Sequence, residues 1–322
     1  MEQDEHKFFL SQGIQFKRLI AKGGFGVVFL VYSNQYQNNF ALKKIPGNLF
    51  NQSELDCLIA IDDHSIVSLY NYYKYGKFVY LLMEYCPLDL ASVIKSQSKI
   101  SSVDRLRYIH DMVLSLKACH DRNIAHSDIK PSNFFVDQYG RVKIGDFGFS
   151  SIYRENPSSM QFRGTRLFMA PELFYSHPYN PLTADIWALG VTIYLLVTGK
   201  YPFYSNDSDN LVRLITIGFY STKEIDDKNL QDLIARCLQT NTNSRATVTE
   251  LLLHPYFNPF NTQPVKKPMP IPMSKSLRSI STNPVLPLLP VAKSLLRMGV
   301  VRNKGPNTSK PPNAVHFDLP TQ

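Results

Sequence analysis

Cysteine is scarce in this chain: four in 322 residues, at positions 57, 86, 119 and 237, with no Cys-x-x-Cys pair. That excludes a disulfide framework and a cysteine-ligated zinc site, and it fits a reducing compartment. Long apolar runs are missing too. The longest, Ile186–Val197, is broken by Gly and Thr and falls short of the ~20 residues that cross a bilayer. The N-terminus, MEQDEHKFFL, is acidic and has no apolar core of signal-peptide length. No internal repeat of solenoid period is present. The expectation is an intracellular protein without a transmembrane segment, cytoplasmic and with the nucleus also open to it.

Excess charge is lacking over most of the length as well, although the formal total is +9. Nine of the 35 Lys and Arg, but one of the 26 Asp and Glu, fall in residues 259–322, so that segment carries +8 and residues 1–258 carry +1. Twelve of the 21 prolines fall there too. We expect 259–322 to be a disordered, basic, proline-rich tail. It acts as a tether, or its Lys275–Ser281 segment is phosphorylated by a basophilic kinase or serves as a pseudosubstrate, and the amphipathic Val291–Met298 docks a regulatory partner. Its only aromatics, Phe260 and Phe317, are too few for base stacking, so nucleic acid is not expected as a partner.

The whole chain is 44% apolar, enough for one large domain or two medium ones. Up to about residue 85 the pattern is strands with one helix: Phe16–Ala21, Val27–Tyr32, Phe40–Ile45 and Lys77–Met83 as strands, Gln52–Ile61 as the helix. Beyond Pro87 helices dominate. Ser101 to Asp104 has the form of a capping box ahead of a helix carrying Leu106, Ile109, Val113 and Leu116 on one face. Phe134–Val136 and Val142–Ile144 form a hairpin around Gly140, and Leu182–Thr198 is a buried helix stopped by Gly199. A last helix begins at Thr247 and ends before Pro255.

Chemistry is suggested first by Ile20-Ala-Lys-Gly-Gly-Phe-Gly-Val-Val28, between two strands. Glycines let the backbone approach phosphate oxygens and aim N–H groups at them; an ordinary glycine-rich hairpin is the other reading. Lys43 follows an alternating apolar pattern on the next strand, and Glu54 on the following helix is placed to hold it; taken alone, the two read better as a surface pair. Then comes Ile124-Ala-His-Ser-Asp-Ile-Lys-Pro-Ser-Asn133, with Asp146-Phe-Gly148 thirteen residues on. Phosphoryl transfer to a hydroxyl needs a proton acceptor, oxygens for Mg²⁺ and a cation for the moving phosphoryl charge. Asp128, Asn133, Asp146 and Lys130 are of those types.

With these segments the sequence resembles the eukaryotic protein kinase superfamily, of the serine/threonine type. Gly164-Thr165, Ala170-Pro-Glu172, Asp185-Ile-Trp-Ala-Leu-Gly190 and Arg245 follow in that family's order. The resemblance implies an α+β, bilobal kinase domain over 16–258, with a β-rich N-lobe to about residue 85 and a helical C-lobe over about 86–258. It implies transfer of the γ-phosphoryl group of Mg-ATP to a protein hydroxyl by a monomeric signalling enzyme. Asp128 resembles the catalytic base and Lys130 the cation on the transferred phosphate; Asn133 and Asp146 resemble the Mg²⁺ ligands. ATP would be held by Ile20, Ala21, Lys22, Gly23, Gly24, Phe25, Gly26, Val27 and Val28, with Lys43 and Glu54 as the phosphate-anchoring pair. Adenine would lie between Val28, Ala41 and Phe135, beside Met83 and against backbone groups of Glu84 and Cys86, with Asp89 at the ribose. Leu58, Leu69, His126 and Phe147 resemble a spine joining the lobes. Glu172–Arg245, Asp185 and Thr165 resemble structural parts.

Phe149 is similar to the residue of kinases that prefer Ser to Thr. Ser132 replaces a glutamate found where an upstream arginine is read, which argues against a strong requirement for one; Ser-Pro specificity is not expected either. Two positions depart from the family's pattern. Ala21 stands for the first loop glycine. Ser127, in His-Ser-Asp, stands for an arginine that pairs with an activation-segment phosphate. Activity independent of phosphorylation in Phe149–Phe168 is the expectation, and the subfamily is not assignable. A scaffold that keeps the fold with little activity is the alternative.

Overall fold

The computed structural model describes residues 3–24, 26–96 and 100–261. The tail from 262 onward, with both of its segments of interest, and Phe25 lie outside them. The smaller lobe is a five-stranded antiparallel sheet, made of β1 (Ile14–Gly23), β2 (Gly26–Ser33), β3 (Asn38–Pro46), β4 (Leu69–Tyr75) and β5 (Phe78–Glu84), in the order β1-β2-β3-β5-β4. Strand alternation sorts its side chains into two cores. Val79, Leu81 and Met83 of β5, with Ile45 of β3, face the main core shared with the rest of the protein. Tyr80 and Leu82, with Phe40 and Leu42, face the other way into a second core.

That second core needs a cover, and the chain's first helix supplies it. α1 (Gln3–Ser11) lays Phe9, fully buried, against Tyr80 at 4.7 Å, Phe16 at 5.5 Å and Tyr73 at 5.5 Å between ring centroids. The reading of one helix before residue 85 is therefore corrected to two, and β4 joins the expected strands. The other helix is α2 (Gln52–Ala60), capped by the Asn51 side chain.

Between the lobes, β6 (Leu88–Asp89) leads into α3 (Leu90–Lys95). The larger lobe is built around α4 (Ser102–His120), followed by β7 (Ile124–Ala125) and the hairpin β8 (Phe134–Val136) and β9 (Val142–Ile144). Then come β10 (Ser151–Ile152), α5 (Pro181–Thr198), α6 (Ser208–Ile217), α7 (Lys228–Cys237), α8 (Val248–Leu252) and α9 (Asn258–Asn261). The fold is thus α+β and bilobal. At α4 the Ser101 hydroxyl takes the Asp104 N–H, while the Asp104 carboxylate returns to that hydroxyl instead of the backbone. A full reciprocal box closes at Thr247 and Glu250.

α5 is long and apolar enough by composition to cross a bilayer, which the interrupted run Ile186–Val197 did not suggest; yet its apolar window is 72% buried within the protein. It runs through the core of the larger lobe, with every residue from Asp185 to Leu196 buried. Trp187 stacks on Phe203 at 5.4 Å, and Thr192 satisfies its hydroxyl on the Ala188 carbonyl. Gly199 ends the helix in the left-handed region at φ 70°.

Candidate active site

The segment from His126 to Asn133 turns sharply between β7 and β8, and its backbone is held from below. The Asp185 carboxylate, on α5, accepts the N–H of His126 at 2.7 Å and of Ser127 at 2.8 Å. Ser127 can then hold a left-handed conformation, φ 65°. The His126 ring bonds the Gly145 carbonyl through Nε2 at 3.0 Å and accepts the Asp128 N–H at Nδ1 at 3.4 Å. A carbonyl can only accept, so Nε2 carries the proton. The ring lies 5.0 Å from that of Phe147, tying this turn to the segment that follows β9.

Asp128 is 5% exposed, and its carboxylate is fixed from three directions. Lys130 Nζ lies 2.7 Å from Oδ2, the Asn133 amide donates to Oδ2 at 3.1 Å, and the Thr165 hydroxyl donates to Oδ1 at 3.0 Å. Thr165 also accepts from Lys130 at 3.0 Å. Gly164, just before it, has φ 99°, and a Cβ there would sit 2.7 Å from the Ser127 carbonyl. The close approach of these two loops requires glycine.

Across the cleft, Lys43 on β3 points toward the main core, as its odd register with Leu81 dictates. Its ammonium lies 2.7 Å from Glu54 on α2 and 2.7 Å from Asp146. Burial works against both charges, but the mutual attraction and hydrogen bonds win. The Lys43 pKa is raised above its ordinary value and that of the Asp146 carboxyl is lowered, with His126 and Lys130 adding to the latter. Asp146 is itself left-handed, φ 60°. Two further ties were not anticipated from the sequence: Ser53 donates to the Ser150 carbonyl at 2.8 Å and Asn51 to the Gly148 carbonyl at 3.4 Å. They lock the start of α2 to the segment after Asp146. Asn51 also caps α2 through its side chain.

The described residues read as ATP-binding have different surroundings. Ile20, Ala21, Lys22 and Gly23 end β1 and are exposed with Gly24; Gly23 pairs with Gly26, and Ala21 with Val28. Gly26 passes so close to β3 that a Cβ would meet the Lys44 carbonyl at 2.1 Å. Val27 continues β2, and Ala41 lies opposite Met83 in the ladder. Phe135 pairs with Asp89 and Lys143. Glu84 spends its N–H on the Ser68 carbonyl, and its carboxylate grips Lys143 at 2.7 Å. Burial pushes the Cys86 thiol up to about 12, so it is no nucleophile near neutrality. Asp89 caps α3, both its oxygens engaged by Ser92.

The donor set also bears on a metal. The Asn133 amide nitrogen donates twice to Asp128, to its carbonyl at 2.8 Å and to Oδ2, which leaves Asn133 Oδ1 as a free acceptor. Asp146 commits Oδ1 to Lys43 and keeps its second oxygen. Two hard oxygen ligands fit Mg²⁺, which retains water and takes few protein groups beside substrate phosphates. No denser cluster of metal-binding side chains occurs among the described residues.

The supporting pair is equally explicit: Arg245 grips Glu172 with both terminal guanidinium nitrogens, at 2.6 and 2.9 Å. The family model described as "Protein kinase domain" matches residues 14–257. The chain is similar to "Sperm motility kinase 2B" of Mus musculus, 35% identical over 205 residues, covering 63% of this chain and 42% of that one. It is similar to "Testis-specific serine/threonine-protein kinase 1" of Mus musculus, 30% identical over 259 residues, covering 74% and 70%. It spans less than half the length of the first relatives it matches.

Proposed function

This chain belongs to the protein kinase family, in its serine/threonine branch; from that premise we propose that it transfers the γ-phosphoryl group of ATP to a protein hydroxyl, serine in preference to threonine. The observation that carries this reading is the joint arrangement of the two lobes. Lys43 is bound to Glu54 and Asp146 together, while Asp128, Lys130, Asn133 and Thr165 form one network.

In the reaction the substrate hydroxyl oxygen bonds to the γ-phosphorus as the bond to the bridging oxygen of ADP breaks, and Asp128 takes the hydroxyl proton. Lys130 spreads its charge over the moving oxygens, while Thr165 keeps Asp128 and Lys130 in register. Lys43 holds the phosphates that stay behind. Mg²⁺, when bound, neutralises phosphate charge, and Asn133 and Asp146 are the residues to hold it. Lys43, Glu54, Asp128, Lys130, Asn133 and Asp146, which a scaffold could dispense with, are all present, which favours the enzyme over the scaffold.

The activation segment supports phosphate-independent order. Ser159 and Tyr179 exchange backbone hydrogen bonds at 2.9 Å, the Tyr179 hydroxyl donates to the Gln161 carbonyl, and Ser150 donates to the His126 carbonyl. Monomeric state, cytoplasmic or nuclear location and a docking role for the tail complete the reading. Its test is incorporation of labelled phosphate from Mg-ATP into a protein or peptide substrate. Wild type should incorporate and Asp128→Asn should lose at least a hundredfold; equal, background-level traces for both would establish the scaffold instead.

A further inference from the structure

Three acids on the acceptor side of the site, Glu172, Asp185 and Asp128, already have partners, but two arginines there have no carboxylate. Glu172 is taken by Arg245, Asp185 by two backbone amides, and Asp128 by Lys130 and Thr165. Arg163 and Arg166 flank Gly164-Thr165, the dipeptide pinned against the catalytic loop. Arg163 is half-buried and lends one nitrogen to the Phe149 carbonyl at 3.3 Å, with no acid beside it among the described residues. Arg166 opens a 3-10 turn in which Leu167 is half-buried and Phe168 is 6% exposed, so the turn is anchored and its arginine faces out. It is exposed, and while its backbone carbonyl accepts the Met169 N–H at 3.2 Å, its side chain makes no hydrogen bond or ion pair with any described residue.

We propose that Arg166, assisted by Arg163, reads a negatively charged side chain close to the acceptor hydroxyl, and that the preferred substrates are acidic peptide segments. The inference rests on the kinase reading and gives it a substrate class. The reach follows from chain geometry. Thr165 touches the carboxylate that receives the acceptor, and Arg166 is one Cα step, about 3.8 Å, along. An extended peptide advances roughly 3.3–3.6 Å per residue, so a guanidinium there spans the first three residues beside the acceptor. A planar fork of N–H donors suits either a carboxylate or a phosphate group. Neither Ser132 nor Asp89 offers a basic peptide a free carboxylate: Ser132 is exposed and uncharged, and both oxygens of Asp89 are engaged.

The experiment is a peptide series with one central serine and Asp, phosphoserine, Ala or Lys at each of the three positions on either side. It is phosphorylated by the full chain, by Arg166→Ala, Arg166→Glu, Arg166→Lys and Arg163→Ala, and by each of these in a Ser158→Ala/Ser159→Ala background. Acidic peptides should exceed alanine ones by about five- to tenfold in kcat/KM at a side within reach, through KM. Arg166→Ala should erase that preference with kcat on the alanine peptide unchanged; Arg166→Lys should retain part of it, and Arg166→Glu should turn it toward lysine. Arg163→Ala should weaken it. Equal use of acidic, neutral and basic peptides by wild type overturns the proposal while leaving the kinase reading intact. So does an acidic preference that survives Arg166→Ala. A preference that emerges only without Ser158 and Ser159 would assign the arginines to a phosphate on the chain's own segment, and also overturns it. Failure of wild type on every peptide and on a general protein substrate would remove the kinase reading itself.

Discussion

Truncating Phe9 to alanine tests whether α1 is an integral part of the small lobe. The side chain is fully buried and meets four rings edge-on, Phe8 at 5.1 Å, Phe16, Tyr73 and Tyr80. Removing a buried phenyl group costs about 3–5 kcal/mol, the transfer loss plus the cavity left behind. For a domain of this size, each kcal/mol lowers Tm by roughly 2–4 °C, so the melting point should fall by about 6–20 °C. The polar half of the same contact is tested by Glu5. It is 3% exposed, accepts from the Tyr80 hydroxyl at 2.6 Å and pairs with Lys44 at 2.8 Å. Glu5→Ala would leave Lys44 and Tyr80 without it, although Lys44 keeps the Phe78 ring at 4.0 Å. Leu10, 47% exposed on the same helix, is the control, and its alanine variant should change stability by less than about 1 kcal/mol. Thermal unfolding followed by circular dichroism, with urea melts alongside, measures all three. If Phe9→Ala melts within about two degrees of wild type, α1 is a passive cover and the reasoning fails.

Gly164→Ala should lower kcat by more than tenfold while the melting point moves little, because a Cβ there at 2.7 Å from the Ser127 carbonyl pushes apart the loops carrying Thr165 and Asp128; unchanged turnover would show that the loop contact is dispensable. The pH dependence follows from the Lys43 triad. The Asp146 carboxyl, lowered from 3.8 in the folded state, contributes stability above that value and loses it as pH falls through the folded pKa. Lys43, raised from 10.5, contributes stability below that value and loses it as pH climbs beyond. Urea melts should give a plateau between these limits, and Asp146→Asn should shallow the acid limb; an acid limb of unchanged slope would place the loss elsewhere.

The elements near the chemistry were legible because their periods are local. The hairpin Phe134–Val136 and Val142–Ile144 is read directly from an apolar run on either side of a turn, and the end of α5 from Gly199. The candidate residues were legible by type, since proton acceptors, oxygen ligands and cations for phosphate come from a short menu. α1 was not legible. Read alone, its nine residues, QDEHKFFLS, are short, acidic at the start and without a basic last turn. An isolated helix of that length is marginal in water, and only the sheet face beneath Phe9 makes it worth forming.

The sequence by itself determined the order of the motifs, the two-lobed α+β class and the identity of the groups able to move a phosphoryl group. Only the tertiary structure decided which carboxylates are spent and which cations are left over. Asp89 is closed as a cap, Glu84 is turned to Lys143, and Glu172 is locked by Arg245, while the Arg166 side chain stands without a partner among the described residues. Charge pairing depends on distances between residues far apart in the chain, and no local pattern encodes those.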